Sequence, residues 1–380
     1  MTNREKFPSS KKEVLVSPEA VSIAEKSLRD FLKLKPEEQV LLLRDKKTNQ
    51  ETALILEKAI QKIGSPLQEI ILTKQTKRKK IQELLKKNKV IVSLVIEEYK
   101  ATDNLYDEDI VKYDNRLLEL FDLDPGAFKE GGALTENLED IEYRLNKMEE
   151  VLKPVYGLRV TSGYGTNLDV GLRPYRDRRW YKDTGVIDRP GQWDNLPGGE
   201  IFTTPDERGV NGVLMLPALD SEITGEQGVD ELVRVNIRNG LISSIQGGKS
   251  AEKFRKKLEK DARREYEEED SNLLNVYQAA EIAFGANSKA RSSVADPEQS
   301  YDFPAVSVVE SEKRFGTMHI AFGNTKHGEV GAEGFIKALS HYDFVIPRNS
   351  LTVEMFGNEK DWQEKKNGRK IISNGGLNFF

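Results

Sequence analysis

The sequence predicts an α/β protein in which a Rossmann-like N-terminal domain precedes an α+β domain. Three observations carry that expectation. Between residues 36 and 153, short apolar runs alternate with amphipathic stretches in the order strand, helix, strand, helix, strand. From about residue 154 the chain turns into short β-like pieces separated by glycine turns. Its 380 residues are enough for two or three domains. We divide it into an N-terminal arm and helix (1–35), a Rossmann-like α/β domain (36–153) and an α+β domain (154–380).

The elements follow in order. Residues 18–34 (PEAVSIAEKSLRDFLKL) space their apolar side chains as an amphipathic helix does. VLLLRD at 40–45 reads as a short apolar strand ending in a charged turn. In NQETALILEKAIQKIG, a capping residue opens a helix and Gly64 closes it. Between them Ala53, Leu54, Leu56, Ala59, Ile60 and Ile63 recur at helical spacing. EIILTK at 69–74, a lysine-rich helix and VIVSLVIEE at 90–98 complete the pattern of a parallel sheet with crossover helices. The turn after the first strand is KKTNQE. It lacks G-x-G-x-x-G, so no dinucleotide site is expected there.

In the second half, YGLRVTSGYG, NLDVGLR, GVLMLPAL and ELVRVNIRNGLISSIQGG read as strands. The N-G pair in IRNGLI, set between alternating segments, predicts a hairpin. SAEKFRKKLEKDARREYEEE and LLNVYQAAEIAF read as helices, the second carrying Glu281 on its last turns before Gly285. The charged runs at 74–89 and 253–270 read as solvated helix faces, the latter with opposite charges at pairing distance.

Composition excludes several classes. Net charge is −5 and the isoelectric point about 5.6, so no basic excess is available for a nucleic-acid backbone. The absence of cysteine rules out disulfides, thiolate metal sites and a cysteine nucleophile. The opening residues are too polar for a signal peptide, and no apolar run approaches the roughly 18 residues of a membrane span. The expectation is a soluble, cytoplasmic protein without nucleic-acid or membrane partners.

The chemistry gathers near the C-terminus. The chain's three histidines, His319, His327 and His341, all fall there, and Asp343 follows His341 by two residues. If SHYDFVI is a strand, His341 and Asp343 point from one face and can grip one ion together. Four segments place nitrogen or oxygen ligands beside small residues in apolar surroundings: LPGGEIFTTP with Glu200, AAEIAFGAN with Glu281, GTMHIAFG with His319, and SHYDF. A carboxylate in such surroundings needs a partner. The α+β domain is therefore expected to be a metal-binding domain for one or two divalent cations.

In this order, NLPGGEIFTTP, AEIAFGAN, EKRFGTMHIAFG and HYDF resemble the signature segments of the aminopeptidase T family of metallopeptidases. TSGYGTNLDVGLRP, the hairpin and helix at 231–259 and the N-terminal β-α-β pattern agree, so the resemblance covers most of residues 18–357. It implies a two-metal site of zinc, cobalt or manganese, with Glu200, Glu281, His319, His341 and Asp343 as ligands. It further implies a metal-activated water that removes N-terminal amino acids from peptides, Glu281 handling the water's proton, and a homodimer. Seven residues beyond His319, where these aminopeptidases carry a tyrosine, this chain has Lys326 followed by His327. Those two residues join Glu281 as catalytic candidates.

Two other readings use the same residues. A shorter, similar branch contains 2,5-dihydroxypyridine ring-cleaving dioxygenases, in which two histidines and an aspartate hold one ferrous ion. His319, His341 and Asp343 would supply that triad, leaving Glu200 and Glu281 to handle a small-molecule substrate or to serve structure. The third reading is an accessory biosynthetic or binding protein on the same scaffold. The principal expectation is the aminopeptidase-like hydrolase.

Overall fold

Ser17 opens the first helix, accepting a hydrogen bond from the Ala20 amide at 3.0 Å, with Pro18 at the first helical position. In the computed structural model of the chain, the described residues are 15–97, 99, 101–102, 105–175, 177–216, 232–269, 274–292, 307–325 and 334–379. Among them the strands form three sheets.

The first sheet is parallel. Helix α1 (Pro18–Asp30) leads to β1 (Val40–Arg44), α2 (Gln50–Ile63), β2 (Leu67–Ile71), α3 (Arg78–Leu85) and β3 (Val90–Leu94). A short α4 (Ile110–Lys112) precedes β4 (Arg116–Glu119), and α5 (Leu138–Leu152) follows. The strands lie in the order β2-β1-β3-β4, and their parallel pairing is what the alternating pattern predicts. Both faces of β1 are buried, which is why it reads as an unbroken apolar run. Val40 and Leu42 pack with α1 and α2, while Leu41 and Leu43 pack with Ile81, Leu84 and Leu85 of α3. The charged turn after β1 is locked from within. Asp45 accepts the backbone amides of Lys47, Thr48, Ile96 and Glu97 at 2.8–3.0 Å. Donors that a nucleotide phosphate would need at this sheet end are thus committed to an internal carboxylate.

The second sheet is antiparallel. It contains β5 (Gly157–Thr161), β6 (Asn167–Gly171), β10 (Val210–Leu216), β11 (Val233–Arg238), β12 (Leu241–Gln246), β16 (Thr352–Phe356), β17 (Arg369–Ser373) and β18 (Gly376–Leu377). The N-G hairpin expected in IRNGLI joins β11 to β12, with Asn239 and Gly240 at φ 50° and 75°. Helix α6 (Lys249–Glu269) follows it.

The third sheet, order β15-β14-β13-β9-β7, is also antiparallel. It comprises β7 (Tyr181–Asp183), β9 (Glu200–Thr203), β13 (Ala279–Gly285), β14 (Met318–Gly323) and β15 (His341–Ile346). Two further helices are α7 (Val308–Lys313) and α8 (Glu359–Glu364). One strand links the halves of the chain. β8 (Trp193–Asn195) lies between β7 and β9 in sequence, yet it pairs in parallel with Leu117–Glu119 of the first sheet.

One element differs from the sequence expectation. The stretch carrying Glu281 is not the end of a helix. After a single turn at Asn275–Tyr277 it becomes β13, with all seven residues buried between β14 and β9. A fully buried segment shows no polar face, so its apolar spacing cannot separate helix from strand, and pairing on both edges decides.

Candidate metal centre

Two nearly identical pentapeptides build the floor of the site. Glu281-Ile-Ala-Phe-Gly285 and His319-Ile-Ala-Phe-Gly323 run antiparallel, with Ala283 opposite His319 and Ala321 opposite Glu281. Alternation along each strand puts Ile282, Phe284, Ile320 and Phe322 on one face, in the hydrophobic core. The other face receives Glu281 and His319, separated by alanine and glycine that leave room for their side chains. β15 continues the pattern, with Asp343 opposite Ala321 and His341 opposite Gly323. Beneath, Phe344 stacks edge-on against Phe254 of α6 at 5.1 Å and against Phe322 at 5.8 Å, fixing the sheet to its support.

Glu200 enters from the opposite edge, opposite Gly285. The turn that delivers it requires Gly199, whose φ is +116°. Asn287 ties this turn to the rest, donating from Nδ2 to the carbonyls of Gly198 at 3.2 Å and Ala133 at 3.1 Å.

These placements bring Glu200, Glu281, His319, His341 and Asp343 together. His319 Nε2 lies 3.0 Å from Glu281 Oε1, 3.3 Å from Glu200 Oε2 and 3.8 Å from Asp343 Oδ1. His341 Nε2 lies 3.3 Å from Asp343 Oδ1, and its Nδ1 is 2.7 Å from the Asn324 carbonyl. A carbonyl only accepts, so Nδ1 carries the proton and Nε2 is the nitrogen turned to the cluster. His319 is almost wholly buried, whereas the side chains of His341 and Asp343 are 22% and 16% exposed. The cluster therefore opens on the His341–Asp343 side. Lys326 and His327, the other two catalytic candidates, lie outside the described residues.

Sequence reasoning missed the second layer. Helix α7, capped by Ser307 and anchored by the buried Arg291–Glu310 pair at 2.7 Å, delivers Glu312 and Lys313 onto β13. Gly285 allows this approach. A Cβ there would stand 2.2 Å from the Arg314 carbonyl oxygen and 2.6 Å from that of Glu312. Lys313 Nζ contacts Glu200, Glu312 at 3.1 Å and Asp183 at 3.2 Å. In sequence these residues sit in the charged string ESEKR and in a short edge strand, where nothing marks them as interior. The EIAFG and HIAFG pair was the available signal that Glu281 lies on a strand.

The charge balance is lopsided, and the protonation states respond. Burial alone would push His319 down, but the hydrogen bond to Glu281 and the charges of Glu200, Glu312 and Asp343 raise it to about 9. His341 behaves alike, with Asp343 foremost among the groups that outweigh burial and raise it to about 10. Burial raises Glu312 well above the carboxylate range, and also raises Glu200, against the pull of Lys313. Asp343 is held low because His341 outweighs its burial.

The donor set fits a divalent cation. Glu200, Glu281 and His319 offer ligand atoms within 4.8 Å of one another, as do Glu281, His341 and Asp343, and Glu312, His319 and Asp343. Glu200 Oε2, Glu312 Oε2 and Asp343 Oδ1 are buried acceptors that receive no hydrogen bond among the described residues. Buried carboxylate oxygens are rarely left so, and a bound cation would satisfy those within its reach. Two imidazoles with carboxylate oxygens suit ferrous iron, manganese or zinc.

Comparison with known proteins bears on the reaction. The family model for NicX, 2,5-dihydroxypyridine 5,6-dioxygenase, matches residues 20–359. The chain is 33% identical over 117 residues to the 2,5-dihydroxypyridine 5,6-dioxygenase of Pseudomonas putida KT2440. That match spans 31% of this chain and about a third (33%) of the relative. The solved 2,5-dihydroxypyridine dioxygenase of that organism superposes with a TM-score of 0.62 at 17% identity, covering 94% of this chain and 96% of that one. AmpT from Thermus thermophilus superposes with a TM-score of 0.64 at 15% identity, covering 95% and 99%. At such identities the two structures show a shared mixed α/β fold and no more. The expected aminopeptidase hydrolase is thereby corrected, because the family match and the curated relative both name a dioxygenase. The scaffold and ligand types served both readings, and fold alone does not select the reaction.

Proposed function

The chain belongs to the NicX family of 2,5-dihydroxypyridine 5,6-dioxygenases, and from that premise we propose that it is a ring-cleaving dioxygenase using one ferrous ion. His319, His341 and Asp343 would hold the ion. The substrate would be a small dihydroxylated nitrogen heteroaromatic of the 2,5-dihydroxypyridine type. What supports this reading is that Asp343 Oδ1 stands between two histidines on one sheet face, 3.8 Å from His319 Nε2 and 3.3 Å from His341 Nε2, with His341 and Asp343 the more exposed members among the described residues. Three protein ligands on one side leave positions for substrate and oxygen on the other.

When bound, a ferrous ion supplies the one-electron chemistry that allows dioxygen to react with an electron-rich ring. The protein's part follows from its own residues. The Asn324 carbonyl holds the His341 ring with Nε2 toward the cluster. Glu281 Oε1, 3.0 Å from His319 Nε2, the nitrogen that would hold the ion, stands beside the ion's place and can accept the proton of a ring hydroxyl as substrate binds. The buried floor of Ala283, Ala321 and His319 keeps water from the inner side, so both reactants enter past His341.

The test is oxygen uptake by the Fe²⁺-loaded chain with 2,5-dihydroxypyridine. We expect one O₂ consumed per ring lost, both atoms of ¹⁸O₂ in the opened product, and loss of turnover in His341→Ala. Protein that holds one Fe²⁺ yet consumes no oxygen with 2,5-dihydroxypyridine or other dihydroxypyridines would overturn the reading.

A further inference from the structure

Lys313 is among the largest fully buried side chains, with 1% of it exposed. Its ammonium has three protons and meets three carboxylates: Glu200 Oε1 at 2.5 Å, Glu312 Oε1 at 3.1 Å and Asp183 Oδ2 at 3.2 Å. These come from three separate elements, β9, the end of α7 and β7, which converge on one point. Convergent carboxylates around one positive centre are what a hard divalent cation requires. Glu200 and Glu312 each give Oε1 to Lys313, while Oε2 of each receives no hydrogen bond among the described residues. Oε2 of Glu200 lies 3.3 Å from His319 Nε2. These two carboxylates therefore stand between two cation positions. One is at the histidines. The other is filled by the lysine.

We propose that Lys313 is an internal cation occupying the place of a second divalent ion, and that it restricts this centre to one exchangeable metal. The inference rests on the metal centre proposed above. It assigns to Lys313 a part in metal stoichiometry. A neutral side chain at 313 would leave Asp183, Glu200 and Glu312 around one point without a counter-charge, and drawing them in around a second ion would relieve their repulsion. Lys313 also steers Glu200: with Oε1 fixed by the ammonium, only Oε2 is turned toward His319.

The experiment uses the full chain, stripped of metal and titrated with Mn²⁺, with bound ion counted by equilibrium dialysis and elemental analysis. The wild type should saturate at one equivalent and Lys313→Ala at two, with circular dichroism confirming that the variant is folded. Electron paramagnetic resonance of the Mn²⁺-saturated wild type gives a readout that does not depend on the variant. An isolated six-line spectrum supports the proposal, and an exchange-coupled pair overturns it. Two equivalents in the wild type, or one in a folded Lys313→Ala, also overturn it while leaving the metal centre intact. No bound ion in either protein would instead remove the metal centre itself, and this inference with it.

Discussion

Glu281 Oε1 stands 3.0 Å from His319 Nε2 across the β13–β14 ladder, the shortest contact between a carboxylate and a histidine in the centre among the described residues. An ion at Nε2 displaces this contact and leaves the Glu281 carboxylate beside it, so Glu281→Gln should weaken Fe²⁺ binding about 10- to 100-fold. His319→Ala should abolish stoichiometric binding. Competition with a chromogenic chelator measures both, and unchanged affinity in the two variants would place the ion elsewhere.

Metal loading should release protons. His319 and His341, raised to about 9 and about 10, are both protonated at pH 7.5 in the metal-free protein. An ion held by both nitrogens displaces about two protons. Calorimetry of Fe²⁺ binding in buffers of different ionisation enthalpy counts them. The same shifts set the pH dependence of metal-free stability. Folded values above the unfolded 6.5 mean a contribution fully present below pH 6.5 and lost as pH rises through 9 to 10. The melting temperature of metal-free protein should therefore fall across that window, and that of loaded protein should fall less.

Gly285→Ala should be damaging although it adds one methyl group. The Cβ would meet two backbone carbonyls at under 3 Å, so α7 must move away from β13. A loss of about 1–3 kcal/mol is expected in urea unfolding, together with weakened metal binding as Glu312 and Lys313 shift. A variant with wild-type stability and affinity would show that the approach of α7 is not needed.

Asp45 makes a prediction far from the centre. Burial would raise its carboxyl, but the amides of Glu97, Ile96, Lys47 and Thr48 hold it below the usual range. Asp45→Ala leaves four amide donors without this acceptor and should lose on the order of 3 kcal/mol at pH 7. A depressed folded value means that this contribution is present above 3.8 and lost as pH falls through the folded value. The gap between wild type and variant, read from unfolding curves at pH 7 and below pH 3.8, should close on acidification.

Much of the candidate centre was legible because its side chains obey strand alternation. His341 and Asp343 are two apart, and a strand necessarily puts them on one face. Glu281 was placed on a helix because β13 is buried on both faces and so shows no alternation of polarity. The repeated pentapeptide, with a charged residue, small residues and two large apolar ones in fixed positions, was the evidence that a local reading of Ala-Ala-Glu-Ile overlooked.

By itself the sequence determined the alternating strands and helices of the first sheet and the N-G hairpin, and the spacing of His341 and Asp343 on one face. Each is set by spacing along the chain or by the chemistry of one residue. The tertiary structure alone decided that β8 joins the first sheet, that Glu312 and Lys313 turn inward, and that Asp183, Glu200 and Glu312 share one ammonium. Those facts depend on elements far apart in the chain, 76 residues between Leu117 and Trp193 and 113 between Glu200 and Lys313, coming together. Side chains that look like solvated charges in a linear string become interior ions only when such elements close around them.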